Sequence, residues 1–579
     1  MTEPTSLARH DPDPSGRAQG LARSRSDYTY DYAYQDLCFT GDLPKSESFD
    51  APYMAQSLAA TAAFEAERMG TRASSFATGV LDRLRGQDAP DASDEGRVTD
   101  PAEYDAMIAR FKRPLAADAW RDPSRADLAF AWQRIAGAVP TLLRGVKRVP
   151  SHFAVTQTHL DAALARFGVA PRRLEALADE GRLFLADYAR FDGIPCGTYP
   201  PRVSGRDASS ATQKFLAAPM ALFTSIEGTG LLPIAIQCGQ RPDARTPIVT
   251  PADGARWLLA KTIVQTADAN LEGIVVHFGY THMLAERFIL AARRQLSPRH
   301  PLLALLAPHF RYTLAANAYA RKTLVVPDGT QDRVLAPRLE ATLAILRESV
   351  REIRIEDLDP RLAAKNAGLE DTSALAHPFR DDQLTVFEGT RRWVEGYVDL
   401  AYASDEDVAT DVELAAMVDE IGSPDGGRLR DLCRGMRLAT RADVTDFCAR
   451  IVHRVSTYHA GINYGWYDWM AYVPNMPAAT SMPMPTIDQP VDDASWLAMM
   501  PPRGLGWGQL AQVHGVDAIH VSFLGQYPEG FADPRVAPLL GRFRADLEAA
   551  EQTIGARNAT RLFAYPHLLP SRTTASIES

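Results

Sequence analysis

Three histidines and one asparagine stand in two short clusters, and their spacing constrains how this chain folds. The first cluster is His277-Phe-Gly-Tyr-Thr-His282, and the second begins 177 residues after it and reads His459-Ala-Gly-Ile-Asn463. The second pair is spaced i, i+4, which places its side chains about 40° apart on an α-helix. The first pair is spaced i, i+5 and diverges by roughly 140° on a regular α-helix. If both of its histidines bind one ion, the helix must widen locally into a π-helix.

The residue types in the two clusters favour a mononuclear iron site. Imidazole suits Fe, Zn, Cu or Ni, and neither cluster contains the thiolates typical of structural zinc or Fe–S sites. A zinc protease would need His-Glu-x-x-His, whereas residues 278–281 contain no acid. The alternative is that these histidines are hydrogen-bonded core residues. His300 and His309 stand in Arg-His-Pro and Pro-His-Phe sequences and are interpreted as structural.

Composition limits the class of protein. A chain of 579 residues that is 46% hydrophobic can bury a very large core, in one domain or several. Its net charge of −10 argues against nucleic-acid binding. There is no apolar signal-peptide core and no uncharged apolar stretch of the ~20 residues that span a bilayer. Its five cysteines form no CxxC unit and are interpreted as free thiols in a reducing compartment. We therefore expect a soluble, cytoplasmic protein.

The order of sequence patterns predicts a mainly α fold with long central helices and a small β-rich portion. Residues 1–26 are rich in Pro, Ser, Arg, Asp and Gly and are predicted to be a disordered tail. Short apolar runs between Gly and Pro predict strands and turns within residues 114–250. A long helix is predicted from an N-cap at Thr250 through His277 to Leu296. Further helices are predicted at residues 339–355, 385–403, 411–421 and 440–464.

Several long strings together resemble the lipoxygenase family, and the resemblance runs from about Tyr30 to Ser579. It implies a single, mostly helical catalytic domain over residues 27–579. The N-terminal β-barrel domain of animal and plant members has no counterpart in the residues before it. The strings are Trp257-Leu-Leu-Ala-Lys261, His277-x4-His282-x3-Glu286, His300-Pro301, Pro308-His309, Thr313-x3-Asn317-x2-Ala320-Arg321, His459-x3-Asn463-x-Gly465 and Pro474-Asn475-x-Pro477.

The resemblance implies one non-haem metal ion per chain. Iron is the expected metal, and manganese is left open as the alternative. The implied ligands are His277, His282, His459, Asn463 and the terminal carboxylate of Ser579. The family usually ends in isoleucine or valine, whereas this chain ends in serine. Because the ligand is the main-chain carboxylate, the serine side chain is not needed for binding. The alternative is a frayed terminus, with water or the Glu578 side chain in that position.

The resemblance also implies a fatty-acid dioxygenase that converts a linoleate-type cis,cis-1,4-pentadiene and O₂ into an S-hydroperoxide. Ala320 occupies the family position where alanine accompanies S products, and Leu324 the position where a leucine clamps the pentadiene. Ala269, Val334 and Leu335 occupy positions that limit pocket depth, and small Ala269 predicts a roomy far end. The alternative for all five is ordinary core packing.

Two departures from the family pattern leave other reactions open. Trp466 stands where the family places glutamine, and Gly273 where it commonly places glutamine or glutamate. We interpret this as a volume-compensated exchange in which the indole fills the space at Gly273. The exchange removes a polar link of the kind that tunes metal sites. The alternatives are a hydroperoxide isomerase, an oxygenase of another unsaturated metabolite, or a catalytically silent lipid-binding homologue.

Overall fold

A computed structural model describes residues 5–69, 96–122, 125–200, 211–244 and 246–579. Helices dominate this part of the chain, as predicted. The α-helices are α1 Pro14–Asp27, α2 Ala51–Met69, α3 Ala102–Ile108, α4 Leu115–Arg121, α5 Ala126–Ala136, α6 Gln157–Arg166, α7 Leu174–Asp179, α8 Ala255–Leu271, α9 Leu284–Gln295, α10 Pro301–Leu306, α11 Thr313–Thr323, α12 Thr330–Val334, α13 Leu339–Glu352, α14 Pro360–Asn366, α15 Pro378–Ala401, α16 Asp405–Ala409, α17 Val412–Gly422, α18 Arg441–His453, α19 His459–Asn463, α20 Trp466–Met470, α21 Asp493–Met499, α22 Arg503–Asp517 and α23 Val536–Asn558.

The β-rich portion predicted within residues 114–250 is confirmed as an antiparallel sheet, whose strands lie in the order β3 (Arg144–Gly145), β4 (Leu183–Asp187), β7 (Met220–Ile226), β8 (Gly230–Gln237) and β9 (Ile248–Val249). Phe184 pairs with Phe223, and Leu222 pairs with Ala235. One face buries a small apolar cluster that includes Leu160 of α6 and Leu177 of α7. The strands are β1 Tyr30–Asp31, β2 Phe39–Thr40, β3 Arg144–Gly145, β4 Leu183–Asp187, β5 Thr198–Tyr199, β6 Thr212–Gln213, β7 Met220–Ile226, β8 Gly230–Gln237 and β9 Ile248–Val249.

The central helix begins later than predicted. Thr250 is not its N-cap, because Thr250 and Asp253 hydrogen-bond to each other in a local turn, the Thr250 hydroxyl donating to the carboxylate at 2.8 Å. The following Gly254 has a φ of 55°, a conformation that glycine adopts without steric cost. Helix α8 starts at Ala255 and passes without a break through a π-helix into α9. This continuous helix carries the first histidine pair through the middle of the core.

The widened backbone predicted at the first histidine pair is confirmed. Residues Glu272–Met283 form a π-helix, here termed π1, with His277 and His282 inside it. A second π-helix, π2, covers Arg454–Tyr458, so the predicted helix 440–464 is interrupted just before His459. His459 and Asn463 remain at i, i+4 on the short α-helix α19 that follows. The sequence did not predict π2.

The expectation of disorder at the N-terminus is corrected for residues 14–27, which form helix α1. The reason is a long-range ion pair. Arg17, 4% exposed, donates to Glu413 of α17 through Nε at 2.6 Å and Nη2 at 2.8 Å, and donates to Asp11 at 2.9 Å. Composition favours disorder only where nothing buries the segment, and here α1 packs against α9.

None of the helices in the described ranges combines the length and apolarity needed to cross a bilayer. The longest single α-helix, α15 with 24 residues, carries charged residues along its length.

Candidate metal centre

Three imidazoles converge at the centre of the helical core. The Nε2 atom of His277 lies 3.3 Å from Nε2 of His282 and 3.3 Å from Nε2 of His459. Each ring offers one nitrogen atom, and these three atoms all lie within 4.8 Å of one another. All three residues are buried. The widened π1 backbone lets residues five apart point to one place, and α19 supplies the third ring.

Burial keeps these imidazoles neutral. It lowers the pKa of His282 to about 4 and the pKa values of His277 and His459 well below the ordinary value. The neighbouring imidazoles lower the pKa values of His277 and His459 further. A neutral imidazole keeps a lone pair, which is the state that binds a metal ion.

Asn463 and Ser579 complete the cluster. The Asn463 amide nitrogen donates to the Val516 carbonyl oxygen and to the Ser579 hydroxyl, each at 3.1 Å. Its Oδ1 atom is buried and has no hydrogen-bond partner among the described residues. The backbone of Ser579 interacts with the His282 imidazole and raises its pKa, opposing the effect of burial. The structure therefore brings all five predicted ligand residues together.

Several contacts hold the C-terminal segment in place. Ala575 N–H donates to the Ser522 carbonyl oxygen at 3.2 Å, and the Tyr53 hydroxyl donates to the Glu578 carbonyl oxygen at 2.8 Å. The Glu578 carboxylate accepts from the N–H groups of Val521 at 2.6 Å and Ser522 at 2.9 Å. Because those amides hold it, the Glu578 side chain does not take the ligand position considered for it from the sequence.

An asparagine that the sequence did not single out orients His282. Asn317 Oδ1 lies 2.8 Å from His282 Nδ1, and Asn317 Nδ2 donates to Glu286 Oε2 at 2.8 Å. Burial raises the pKa of Glu286 to about 7, against the hydrogen bonds from Asn317 and the Thr40 amide. Contacts of this kind fix the orientation of ligating imidazoles. In the sequence, the signal that pointed to Asn317 was its place in the string Thr313-x3-Asn317, one of those that carry the family resemblance.

His300 and His309 lie outside the cluster, as predicted. His300 caps α10 through a hydrogen bond from Leu302 N–H, and its Nε2 lies 2.9 Å from Asp411. His309 Nδ1 lies 2.7 Å from the Ala575 carbonyl oxygen, so it helps to hold the C-terminal segment.

The donor set fits a metal ion. The lone pairs of three neutral imidazole nitrogens repel one another when no hydrogen atom lies between them. A bound cation removes that repulsion. The unpartnered Asn463 Oδ1 offers a further neutral ligand atom. Nitrogen and oxygen donors without thiolate are typical of iron, manganese, zinc or nickel sites.

A cavity of about 510 Å³ lies against two of the histidines. His277, His282 and Ser579 line it, together with α2, α11, α12 and α22. Three of the predicted substrate residues line it as well: Ala320, Leu324 and Val334. Ala269 and Leu335 are fully buried and do not line it. The roomy far end predicted from Ala269 is therefore not part of this cavity.

Leu335 and Trp466 fill the space over Gly273. A Cβ atom placed on Gly273 would lie 3.4 Å from Leu335 Cδ1 and 3.8 Å from Trp466 Cζ2. The Trp466 indole is buried against His277, with 5.6 Å between ring centroids, and its N–H donates to the Met470 sulfur at 2.7 Å. The indole thus neighbours Gly273, as the exchange hypothesis requires, and Leu335 is the nearer neighbour.

Comparisons with known proteins show which family this chain is similar to. A family model described as Lipoxygenase matches residues 95–564. The linoleate 9/13-lipoxygenase of Pseudomonas aeruginosa is 35% identical over 498 residues, covering 82% of this chain and 69% of that protein. The human polyunsaturated fatty acid lipoxygenase ALOX15B is 31% identical over 80% of this chain and 67% of its own length. The crystal structure of coral 8R-lipoxygenase superposes with a TM-score of 0.86 at 23% identity, covering 100% of this chain and 83% of that one.

Proposed function

This chain belongs to the lipoxygenase family, and we propose that it inserts O₂ into a linoleate-type polyunsaturated fatty acid to give an S-hydroperoxide. The observation that carries the proposal is a cluster of three buried imidazoles, two of which, His277 and His282, line a cavity large enough for a lipid chain. We propose iron as the metal, held by His277, His282, His459, Asn463 and the Ser579 carboxylate.

The chain's own residues position the lipid for this reaction. When bound, iron supplies an electron acceptor and acidifies water, so that no side-chain base is required. His277 and His282 line the cavity, which brings a lipid lying in it against the ligand cluster. Leu324 and Ala320 lie in the same wall and restrict where the pentadiene and O₂ are placed. Holding the reacting groups in one geometry supplies much of the rate enhancement in such a site.

The contact between Asn317 and His282 also supports the proposed metal site. It holds the His282 ring so that Nε2 faces the other two imidazoles while Nδ1 faces the amide oxygen. A ligand set with fixed tautomers needs less rearrangement when the metal binds.

The test is oxygen consumption by the purified protein with linoleate, together with conjugated-diene absorbance and chiral separation of the product. The matched control is His459→Ala, which removes one proposed ligand nitrogen at a residue that does not itself line the cavity. We expect diene formation by the wild type and none by the variant. The proposal would be overturned if the iron-loaded wild type showed no oxygen uptake and no diene formation.

We also propose a cytoplasmic, reducing location. All five cysteines are unpaired in the described structure, and Cys38, Cys238 and Cys448 are buried. Free thiols are typical of proteins in reducing compartments.

A further inference from the structure

The backbone pairing that holds the C-terminal segment ends before the chain does. Phe523 and Thr574 form an antiparallel bridge, and Ala575 N–H donates to the Ser522 carbonyl oxygen at 3.2 Å. Four residues follow Ala575. The last residues of a chain fray unless further contacts tie them down. The backbone pairing alone therefore does not place the terminal carboxylate.

The Glu578 side chain continues this pairing where the backbone stops. Its carboxylate accepts from the N–H groups of Val521 at 2.6 Å and Ser522 at 2.9 Å, and it also accepts from the Ser522 hydroxyl. Glu578 is 0% exposed. A carboxylate is costly to bury unless hydrogen-bond donors replace its water, and three donors do so here. The fold therefore fixes a buried carboxylate one residue before the chain end.

Two further contacts restrict the last residue. The Tyr53 hydroxyl of α2 donates to the Glu578 carbonyl oxygen at 2.8 Å, which orients the planar peptide that joins Glu578 to Ser579. Only rotation within Ser579 then remains, and the Asn463 amide nitrogen donates to its hydroxyl at 3.1 Å. The backbone of Ser579 in turn interacts with the His282 imidazole. The place of the terminal carboxylate therefore follows from the place of Glu578.

We propose that Glu578 is a positioning residue that holds the Ser579 carboxylate at the histidine cluster. It acts through Ser579 and is not itself a ligand. This inference rests on the proposed function, because the site that Glu578 serves is the proposed iron site. It adds to the ligand set a side chain whose own hydrogen bonds decide whether the terminal carboxylate reaches the metal.

The test is the affinity of the metal-free protein for ferrous iron, measured by competition with a chelator. Glu578→Ala removes the buried acceptor and should weaken iron binding about 10- to 100-fold, as is usual when a group that orients a ligand is lost. Ser522→Ala removes the hydroxyl donor, keeps both N–H donors and should weaken binding by a smaller factor. It also keeps the inference testable if Glu578→Ala folds poorly.

Glu551→Ala is the matched control. The Glu551 carboxylate accepts from the Ser571 N–H group at 2.9 Å and from the Ser571 hydroxyl at 2.7 Å, so it holds the same segment farther from the chain end. We expect Glu551→Ala to keep the iron affinity of the wild type.

Two further measurements separate positioning from general stability. Carboxypeptidase should release Ser579 faster from metal-free Glu578→Ala than from wild type or Glu551→Ala, because the chain end is no longer held. At saturating ferric iron, the electron paramagnetic resonance spectrum of Glu578→Ala should differ from that of the wild type. It should resemble the spectrum of a chain extended by one glycine after Ser579, because both place no terminal carboxylate at the metal.

Three results would overturn the inference: unchanged iron affinity in both Glu578→Ala and Ser522→Ala, an equal loss of affinity in Glu551→Ala, or a weaker affinity with an unchanged spectrum. Tight iron binding that is the same in all variants refutes this inference and leaves the proposed function standing. If wild type binds iron and does not oxidise linoleate, the proposed function fails and the affinities still decide this inference. If wild type binds no iron, both fail.

Discussion

The Nε2 atoms of His277 and His459 lie 3.3 Å apart, although the two residues are separated by 182 positions in the chain. Their rings are nearly parallel, at 28°. The close approach depends on two helices, because π1 brings His277 and His282 together and α19 brings His459 to them. The cluster therefore forms only when the whole helical core is assembled.

Removing one ligand imidazole should abolish metal retention. We expect one iron per wild-type chain, and almost none in His277→Ala or His459→Ala, because two nitrogens hold a metal far more weakly than three. Elemental analysis of the purified proteins measures this. His152→Ala, which changes an exposed histidine of the β-rich portion, should keep the metal. Zinc in place of iron after iron-supplemented growth would contradict the assignment.

The terminal carboxylate should matter more than the serine side chain. Adding one glycine after Ser579 replaces the carboxylate beside His282 with a neutral amide, so we expect a large loss of iron. Ser579→Ile keeps the carboxylate and should keep the iron. Elemental analysis of both variants decides the matter, and equal iron content in the extended and native chains would exclude the carboxylate as a ligand.

Ala320 should direct oxygen to one end of the pentadiene. Ala320→Gly opens space in the cavity wall and should raise the R fraction of the product, which chiral chromatography measures. Ala316→Gly is the matched control, since it lines the same cavity from α11 and carries the same helix penalty of about 1 kcal/mol. A wild-type product that is racemic or mainly R would contradict the role given to Ala320.

Gly273 should tolerate alanine and reject glutamine. An added Cβ makes ordinary contacts with Leu335 and Trp466, but a longer side chain overpacks the site, at a cost of about 1–3 kcal/mol. Trp466→Gln opens a cavity and should cost about 3 kcal/mol. Because the residues touch, the double variant should cost less than the sum of the two.

Thermal denaturation measures that coupling energy, and Leu335→Ala should relieve Gly273→Gln in the same way. A coupling within about 0.5 kcal/mol of zero in both pairs would show that neither neighbour confines Gly273.

Lys214 should make stability depend on pH in the alkaline range. Burial lowers its pKa from 10.5 to about 8, against the opposing charge of Asp332. Below pH 8 both the folded and unfolded states hold the proton, and the folded state bears the full cost of about 3 kcal/mol. The cost disappears as pH rises from 8 to 10.5, so wild type should gain stability over that window relative to Lys214→Met.

Denaturant unfolding of both proteins across the same pH values measures that difference. Comparison with Lys214→Met removes the contribution of the tyrosines, which is common to both. A difference in stability that stays constant with pH would contradict the lowered pKa.

The sequence predicted the features that depend on local spacing. An i, i+5 pair on one helix already requires the widened backbone of π1, and the i, i+4 pair at His459 already requires a common face. The apolar runs of β7 and β8 were likewise sufficient to predict strands. Each of these features is decided within a few residues of chain.

Features that depend on distant partners were not predicted. Helix α1 is held by Arg17 and Glu413, which are 396 positions apart. Asn317 reaches His282 only when α11 packs against π1. The Thr250 capping pattern was present, but Gly254 breaks the backbone before α8 begins. Tertiary packing decided each case.

The spacing of the two histidines in π1 also determines how small a change in the gene separates this helix from an ordinary α-helix. Its two ligand histidines are separated by one residue more than an α-helix would need to bring them to the same face. Deleting a single codon within 278–281 would restore i, i+4 spacing and let the backbone relax to ordinary winding. The histidine pair here and an i, i+4 pair on a plain α-helix therefore differ by three nucleotides, which is a short evolutionary step between the two kinds of winding.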